Sequence, residues 1–340
     1  MSKIAQSASD ELQNPSNTGT SHRSSISVSV IIATRNRVEP LKRCLLSLDK
    51  QTMPVIETIV VDSSDGDDTE RLLASLKEHV RFSLSYLRSS IRSAAVQRNQ
   101  GADVACGTHV LFLDDDVVLE SNFVAELMKA FDTPDFPNVG GASGTIVNQT
   151  FVEPRGLNRF LLGFALGRWS GSYSGRLLGP AVNFLPRAID GIQPVEWLPS
   201  CCAAFPKSVF LRYRFGSTFQ GYSFAEDVHL SARIGQSFQL INMGKAKLFH
   251  EDLGGATHRD WVALGHSIVM NRHLIMSTVM GKRGLANLLR LFYYEMVYSP
   301  LAFLNAGVGR RRLQIAMDML RGRAAAFRDL IACKSPHLAR

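Results

Sequence analysis

Four strand-like runs, Val28–Ala33, Ile56–Val61, Ser83–Leu87 and Val110–Leu113, alternate with three segments of helical spacing, Pro40–Leu48, Thr69–Leu76 and Ser93–Val104. Parallel strands need crossovers that helices supply, so this rhythm predicts an α/β fold: a mostly parallel sheet with helices on both faces. The run Val110–Leu113 is apolar at every position, as a strand covered on both faces must be. In such sheets ligands bind beyond the carboxyl ends of the strands. Those ends carry Thr34-Arg35-Asn36, Asp62, Arg88 and three consecutive aspartates, Asp114, Asp115 and Asp116.

The aspartate triplet concentrates charge where the chain leaves the core. Two like charges about 4 Å apart repel by roughly 4 kcal/mol at an effective dielectric of 20. A cation relieves that repulsion, and oxygen ligands in a partly open site suit Mg²⁺ or Mn²⁺ together with substrate phosphates. In extended chain Asp114 and Asp116 share one face and Asp115 points away. The competing reading is a solvated acidic turn ahead of a helix starting near Ser121. A second acidic pair, Glu226 and Asp227, opens the helical segment Glu226–Ile234. Acids there satisfy free N–H groups and complement the helix dipole, which also favours the ionised form and leaves a carboxylate ready to take a proton. Adjacent helix residues diverge, so one of the two is expected to reach a reaction centre.

The remaining chain narrows the function classes. At 340 residues it suffices for one large or two smaller domains. The net charge of +8 resides at the C-terminal end, where Lys282–Arg340 holds eleven Lys/Arg against three acids. Interleaved with apolar residues, that excess suits an anionic surface more than a nucleic acid. Five cysteines without CxxC spacing point to unpaired thiols, and a zinc site from His250, His258 and cysteines lacks ligand spacing. No G-x-G-x-x-G follows the first strand, which argues against a Rossmann dehydrogenase. Residues 1–25 read as a disordered polar tail. Residues 151–199 read as irregular, Phe238–Ile241 and Ala246–Phe249 as two short strands, and 258–340 as a basic, amphipathic helical region. Within the last, Leu285–Val308 carries Arg290, Glu295 and Pro300 and reads as interfacial or buried, not spanning.

Five segments in order, Val28–Arg37, Glu57–Asp62, Ser93–Gly101, Val110–Asp116 and Glu226–Arg233 followed by His250, resemble the inverting family 2 glycosyltransferases with the GT-A fold. The resemblance runs from about Ser27 to His250, so that 26–257 is expected to form the catalytic domain. It implies a nucleotide-sugar donor, UDP- or dTDP-linked, with Asp62 accepting a hydrogen bond from the base and Thr34, Arg35 and Arg98 bordering the nucleotide. Ser63 stands where the family often has a second aspartate. It further implies Asp116 and His250 as ligands of Mg²⁺ or Mn²⁺, Asp114 or Asp115 at the ribose, Asp227 as general base, and Glu226 with Trp197 at the acceptor. Trp169 and Tyr173 are candidates for a lid. The acceptor is expected to be a glycan or a lipid-linked one in cell-surface polysaccharide synthesis. The protein would then lie at the cytoplasmic face of the membrane, held peripherally to anionic lipid through the basic segment Arg310–Leu330. A nucleotidyltransferase of related sheet, a non-catalytic nucleotide-sugar-binding scaffold and a metal-dependent hydrolase are the alternatives.

Overall fold

The βα alternation is realised in the computed structural model, which describes residues 26–149, 151–219, 223–251, 260–305 and 309–332. The expected tail (1–25), His258 and the last eight residues lie outside the described residues. In chain order come β1 (Val28–Thr34), α1 (Val38–Asp49), β2 (Glu57–Asp62), α2 (Asp68–Leu76), β3 (Ser83–Arg88), α3 (Ala94–Val104) and β4 (His109–Asp114). The four strands are parallel in the order β3-β2-β1-β4. Strand β1 shows why this sheet needs two helical layers. Val28, Val30 and Ile32 pack with Leu41, Cys44, Leu45 and Leu48 of α1, whereas Ile31 packs with Ala95 and Ala102 of α3 on the other side. Burying each large aliphatic side chain contributes about 1.5–3 kcal/mol.

The small residues of α3 let it lie close against the sheet. A Cβ on Gly101 would come within 2.5 Å of Ile31 Cγ2, so only glycine fits that crossing. The helix starts at Ser93, whose hydroxyl accepts from the Val96 N–H.

Next come β5 (Val117–Leu119), α4 (Phe123–Met128), β6 (Val139–Ile146), α5 (Gly156–Leu166), β7 (Leu177–Leu178), β8 (Val182–Asn183), β9 (Ile192–Val195), β10 (Cys202–Pro206), α6 (Lys207–Tyr213), α7 (Glu226–Ile234) and β11 (Gln239–His250). The sheet grows from β4 through antiparallel β10 to β6, β11 and β5, and β9 adds to β11, making nine strands. Two sequence expectations are corrected here. Residues 151–199 are not irregular: they contain α5, the β7–β8 hairpin and β9. The signal was hidden because α5 is apolar on both sides, with Leu162 and Leu166 buried but Leu157, Phe160 and Phe164 exposed. The two short strands expected at Phe238–Ile241 and Ala246–Phe249 are one long strand, β11, with a register shift between Asn242 and Lys247.

The C-terminal helices are α8 (Trp261–Leu274), α9 (Leu285–Tyr293), α10 (Ser299–Asn305) and α11 (Arg310–Ile331), with π-helical turns at Ile275–Val279 and Tyr294–Tyr298. Helices α8 and α11 cross at glycines: a Cβ on Gly265 would meet the Met319 carbonyl at 2.3 Å, and one on Gly322 the Val262 carbonyl at 1.9 Å. Between them Glu295 pairs with Arg272 at 2.9 Å and Arg323 at 3.2 Å, all three buried. Asn271 of α8 donates to the Phe224 carbonyl just before α7, and Ile275 shares a core with Trp197. The helical region therefore buttresses the sheet domain. No helix of the described residues is long and apolar enough to cross a membrane.

Candidate active site

At the carboxyl ends of β1 and β4 lies a cleft of about 850 Å³. Its lining brings together Thr34, Arg35, Arg98, Asp114, Asp115, Asp116, Trp197, Glu226, Asp227 and His250, residues separated by more than 200 positions. Sheet register does this work. Strand β4 ends at Asp114 and β5 resumes at Val117, which pairs with His250 at the end of β11. His250 Nε2 consequently sits 3.0 Å from Asp116 Oδ1 and 3.9 Å from Asp114 Oδ2. One ligand atom each from Asp114, Asp116 and His250 lies within 4.8 Å of the others. Asp115 diverges from the other two at the turn that follows β4, not by strand alternation: its Oδ2 accepts from the Thr34 hydroxyl at 2.7 Å.

Arginines answer the repulsion within the triplet. Arg37 contacts Asp116 at 2.6 Å and Asp115 at 3.3 Å, and Arg98 contacts Asp114 at 2.7 Å. Burial pushes the Asp115 carboxyl up to about 7, against Arg37 and Thr34. Burial also acts to raise Asp116, but His250 and Arg37 outweigh it and hold that group at about 2. Burial would lower His250, yet its hydrogen bond to Asp116 and the nearby Asp114 charge lift it to about 9. The solvated acidic turn is thus excluded, since Asp115 and Asp116 are 4% and 5% exposed. Two carboxylates and an imidazole converging on a polar cleft match the donor set of a divalent cation.

Arg98 extends to the second acidic pair, contacting Glu226 at 2.8 Å. It is buried, not a solvated helix arginine. Glu226 and Asp227 occupy the first turn of α7, entered through Ala225 with a left-handed φ of +64°. Asp227 Oδ1 accepts from the Val228 N–H at 2.8 Å and Oδ2 from the Ser200 N–H at 3.4 Å. The helix dipole was expected to keep this pair ionised, but burial prevails. Desolvation, with the neighbouring Asp227 charge, raises Glu226 to about 8, and desolvation raises Asp227 as well. Asp227 is the less buried of the two and has no arginine within ion-pair distance among the described residues.

Not every candidate reaches the cleft. Asp62 is fully buried outside the lining; its Oδ1 accepts from the Ser64 N–H and hydroxyl and its Oδ2 from Tyr86. Ser63 lines the cleft instead. Arg88 ties down the following loop by donating to the carbonyls of Ser64 and Gly66. Arg35 borders the cleft but pairs with Asp65 at 3.7 Å. Trp197 contributes an edge, being core-packed with its N–H donated to the Phe184 carbonyl at 2.7 Å. The lid reading fails: Tyr173 is fully buried, and Trp169 packs on Phe160 away from the cleft.

Arg37 was not singled out from sequence. Asn36, at φ +54°, turns the chain between Arg35 and Arg37 and sends them to different carboxylates. Gln97 was also missed; its amide donates to the carbonyls of Thr34 and Val61, fixing the two strand ends beneath the cleft. Cys201 lines the cleft, and Cys44, Cys106, Cys201 and Cys202 are unpaired.

Residues 29–180 match the model of glycosyl transferase family 2. A GalNAc(5)-diNAcBac-PP-undecaprenol beta-1,3-glucosyltransferase of Campylobacter jejuni is 33% identical over 103 residues, which is 30% of this chain and 33% of that protein. Validoxylamine A glucosyltransferase of Streptomyces hygroscopicus is 31% identical over 109 residues, 32% of this chain and 26% of that protein. The chain thus spans about a third or less of these curated relatives. Among solved structures, GalNAc-T7 with UDP, GalNAc and Mn²⁺ has a TM-score of 0.54 at 15% identity, covering 79% of this chain and 55% of that one. Staphylococcus aureus TarS 1-349 has a TM-score of 0.52 at 14% identity, covering 91% and 83%. The motifs in order and the nine-stranded GT-A sheet agree with this match, so residues 29–180 are similar to glycosyl transferase family 2.

Proposed function

We propose that this protein is an inverting glycosyltransferase that moves a sugar from a nucleoside diphosphate, UDP or dTDP, to a glycan or lipid-linked acceptor in cell-surface polysaccharide synthesis. One observation carries the reading: Arg98 joins a carboxylate–imidazole cluster suited to a cation, Asp114, Asp116 and His250, to the acidic pair Glu226 and Asp227 across a single cleft. The donor and ion are further supported by the UDP and Mn²⁺ of GalNAc-T7, and the acceptor class by the PP-undecaprenol in the name of the Campylobacter relative.

Asp116 and His250, with Asp114, would hold Mg²⁺ or Mn²⁺, which when bound neutralises charge developing on a departing diphosphate. The chain's own residues supply the rest. Asp227 takes the acceptor hydroxyl proton while the oxygen attacks the anomeric carbon opposite the leaving diphosphate, so a single displacement inverts configuration. Glu226, held by Arg98, and the edge of Trp197 orient the acceptor. Thr34, Arg35 and Arg98 border the donor, with Asp114 or Asp115 at its ribose. Exposed Arg310, Arg311, Arg321 and Arg328 of α11 provide charge for a peripheral hold on anionic lipid at the cytoplasmic face.

A thermal-shift screen of nucleotide sugars with and without Mn²⁺ tests the reading, because a ligand of the folded state raises its melting temperature by mass action. A UDP- or dTDP-sugar is expected to stabilise the protein, more so with Mn²⁺. No shift with any nucleotide sugar under either condition would refute it. Release of free sugar without transfer to any acceptor would identify a hydrolase instead.

A further inference from the structure

Helices α5 and α9 lie side by side, with Phe164 edge-on to Tyr293 at a centroid distance of 5.0 Å. Their outer face is apolar: Leu157, Phe160, Phe164, Leu289 and Phe292 are between 46% and 72% exposed, and Trp169 extends the face by packing on Phe160. Soluble surfaces rarely carry so much contiguous apolar area without a partner. Charge identifies the partner. From Pro154 to Ile189 the chain has five arginines and no acid. From Lys282 to Met317 its one acid is Glu295, which is 1% exposed and tied to Arg272 and Arg323. Arg159 and Arg187 pair with Glu153 and Arg176 with Glu196, whereas Arg155 at the start of α5 and Arg283 just before α9 are exposed cations without an ion pair among the described residues.

We propose that this face inserts into the surface of an anionic lipid bilayer, α5 and α9 lying in the interface. Apolar and aromatic side chains flanked by cations are what a headgroup region accepts, and an exposed tryptophan suits that depth. The layer beneath connects the face to the cleft. Leu178 and Val182 of the β7–β8 hairpin pack under Leu162 and Leu166 of α5, while Asn183 and Leu185 line the cleft. A lipid-linked acceptor would reach the site along this hairpin; that use rests on the proposed transfer, but bilayer binding does not.

The test is sedimentation of the full chain with vesicles of phosphatidylcholine alone or with one-third phosphatidylglycerol. Partition onto the anionic vesicles is expected to be at least tenfold stronger, with a blue shift in tryptophan emission that Trp169→Phe removes. Leu157→Asp combined with Leu289→Asp, both highly exposed, is expected to weaken partition about tenfold or more. Should that pair lose its cooperative melt, Phe160→Ser with Leu285→Ser asks the same question. Undiminished partition in a folded variant overturns the proposal. So does a concentration-dependent dimer, dissolved by these substitutions, in a protein that ignores vesicles. Vesicle binding without sugar transfer would leave this inference standing and defeat the proposed function; transfer to a soluble acceptor without vesicle binding would do the reverse.

Discussion

Arg98 faces Asp114 and Glu226 within 2.8 Å, with Asp227 adjacent, so a single buried guanidinium serves three carboxyl groups. One cation does not offset the desolvation of Glu226 and Asp227 together, and the pair is most stable when it retains a proton. With Glu226 raised from its ordinary 4.5 to about 8, the folded chain holds at neutral pH a proton that the unfolded chain has released. Folding stability should then fall as pH rises from about 4.5 to about 8. Glu226→Gln mimics the protonated form and is expected to flatten that slope in urea titrations run at several pH values; an unaltered slope would place the proton elsewhere. For Asp227→Asn, turnover is expected to drop about 10²–10⁴-fold, the usual contribution of a positioned base, while calorimetric UDP affinity stays unchanged. Near-normal turnover would remove Asp227 from that role.

Elements matter through how closely they approach. Arg98 reaches Asp114 because α3 is pressed onto β1 at Gly101. Gly101→Ala places a methyl group 2.5 Å from Ile31, and overpacking of this kind costs about 1–3 kcal/mol. The helix must then lift, so the expected outcome is a lower denaturation midpoint together with weaker nucleotide binding. Loss of stability without loss of binding would separate the helix position from the site. The register of β11 has a comparable consequence, because pairing of His250 with Val117 sets the imidazole beside Asp116.

At the level of the whole molecule, the buried ion group Arg272–Glu295–Arg323 ties the C-terminal helices to one another, and Arg272 anchors them to the sheet domain by donating to the Ala181 carbonyl. Glu295→Ala leaves two buried guanidinium groups unpaired and is expected to cost about 3–5 kcal/mol in urea unfolding. A cost below about 1 kcal/mol would mean that water reaches the arginines. The same packing argues against removing α11 as a test of lipid binding. Truncation at Arg310 deletes Arg323 and uncovers Val269 and Leu291, so charge and fold would be lost together.

The alternation of apolar runs and the order of the motifs were legible because strand and helix periodicities are written within a few neighbouring residues. By itself the sequence determined the α/β class, the resemblance to glycosyl transferase family 2 and most of the acidic residues that the cleft brings together. Only the tertiary structure decided that Arg37 turns to the triplet while Arg35 does not, that Asp62 turns inward, and that burial outweighs the helix dipole at Glu226. It also made an exposed apolar face of α5, whose all-round hydrophobicity concealed its period. These outcomes depend on sheet register between positions more than 100 residues apart and on the dielectric that such pairing creates, neither of which local spacing encodes.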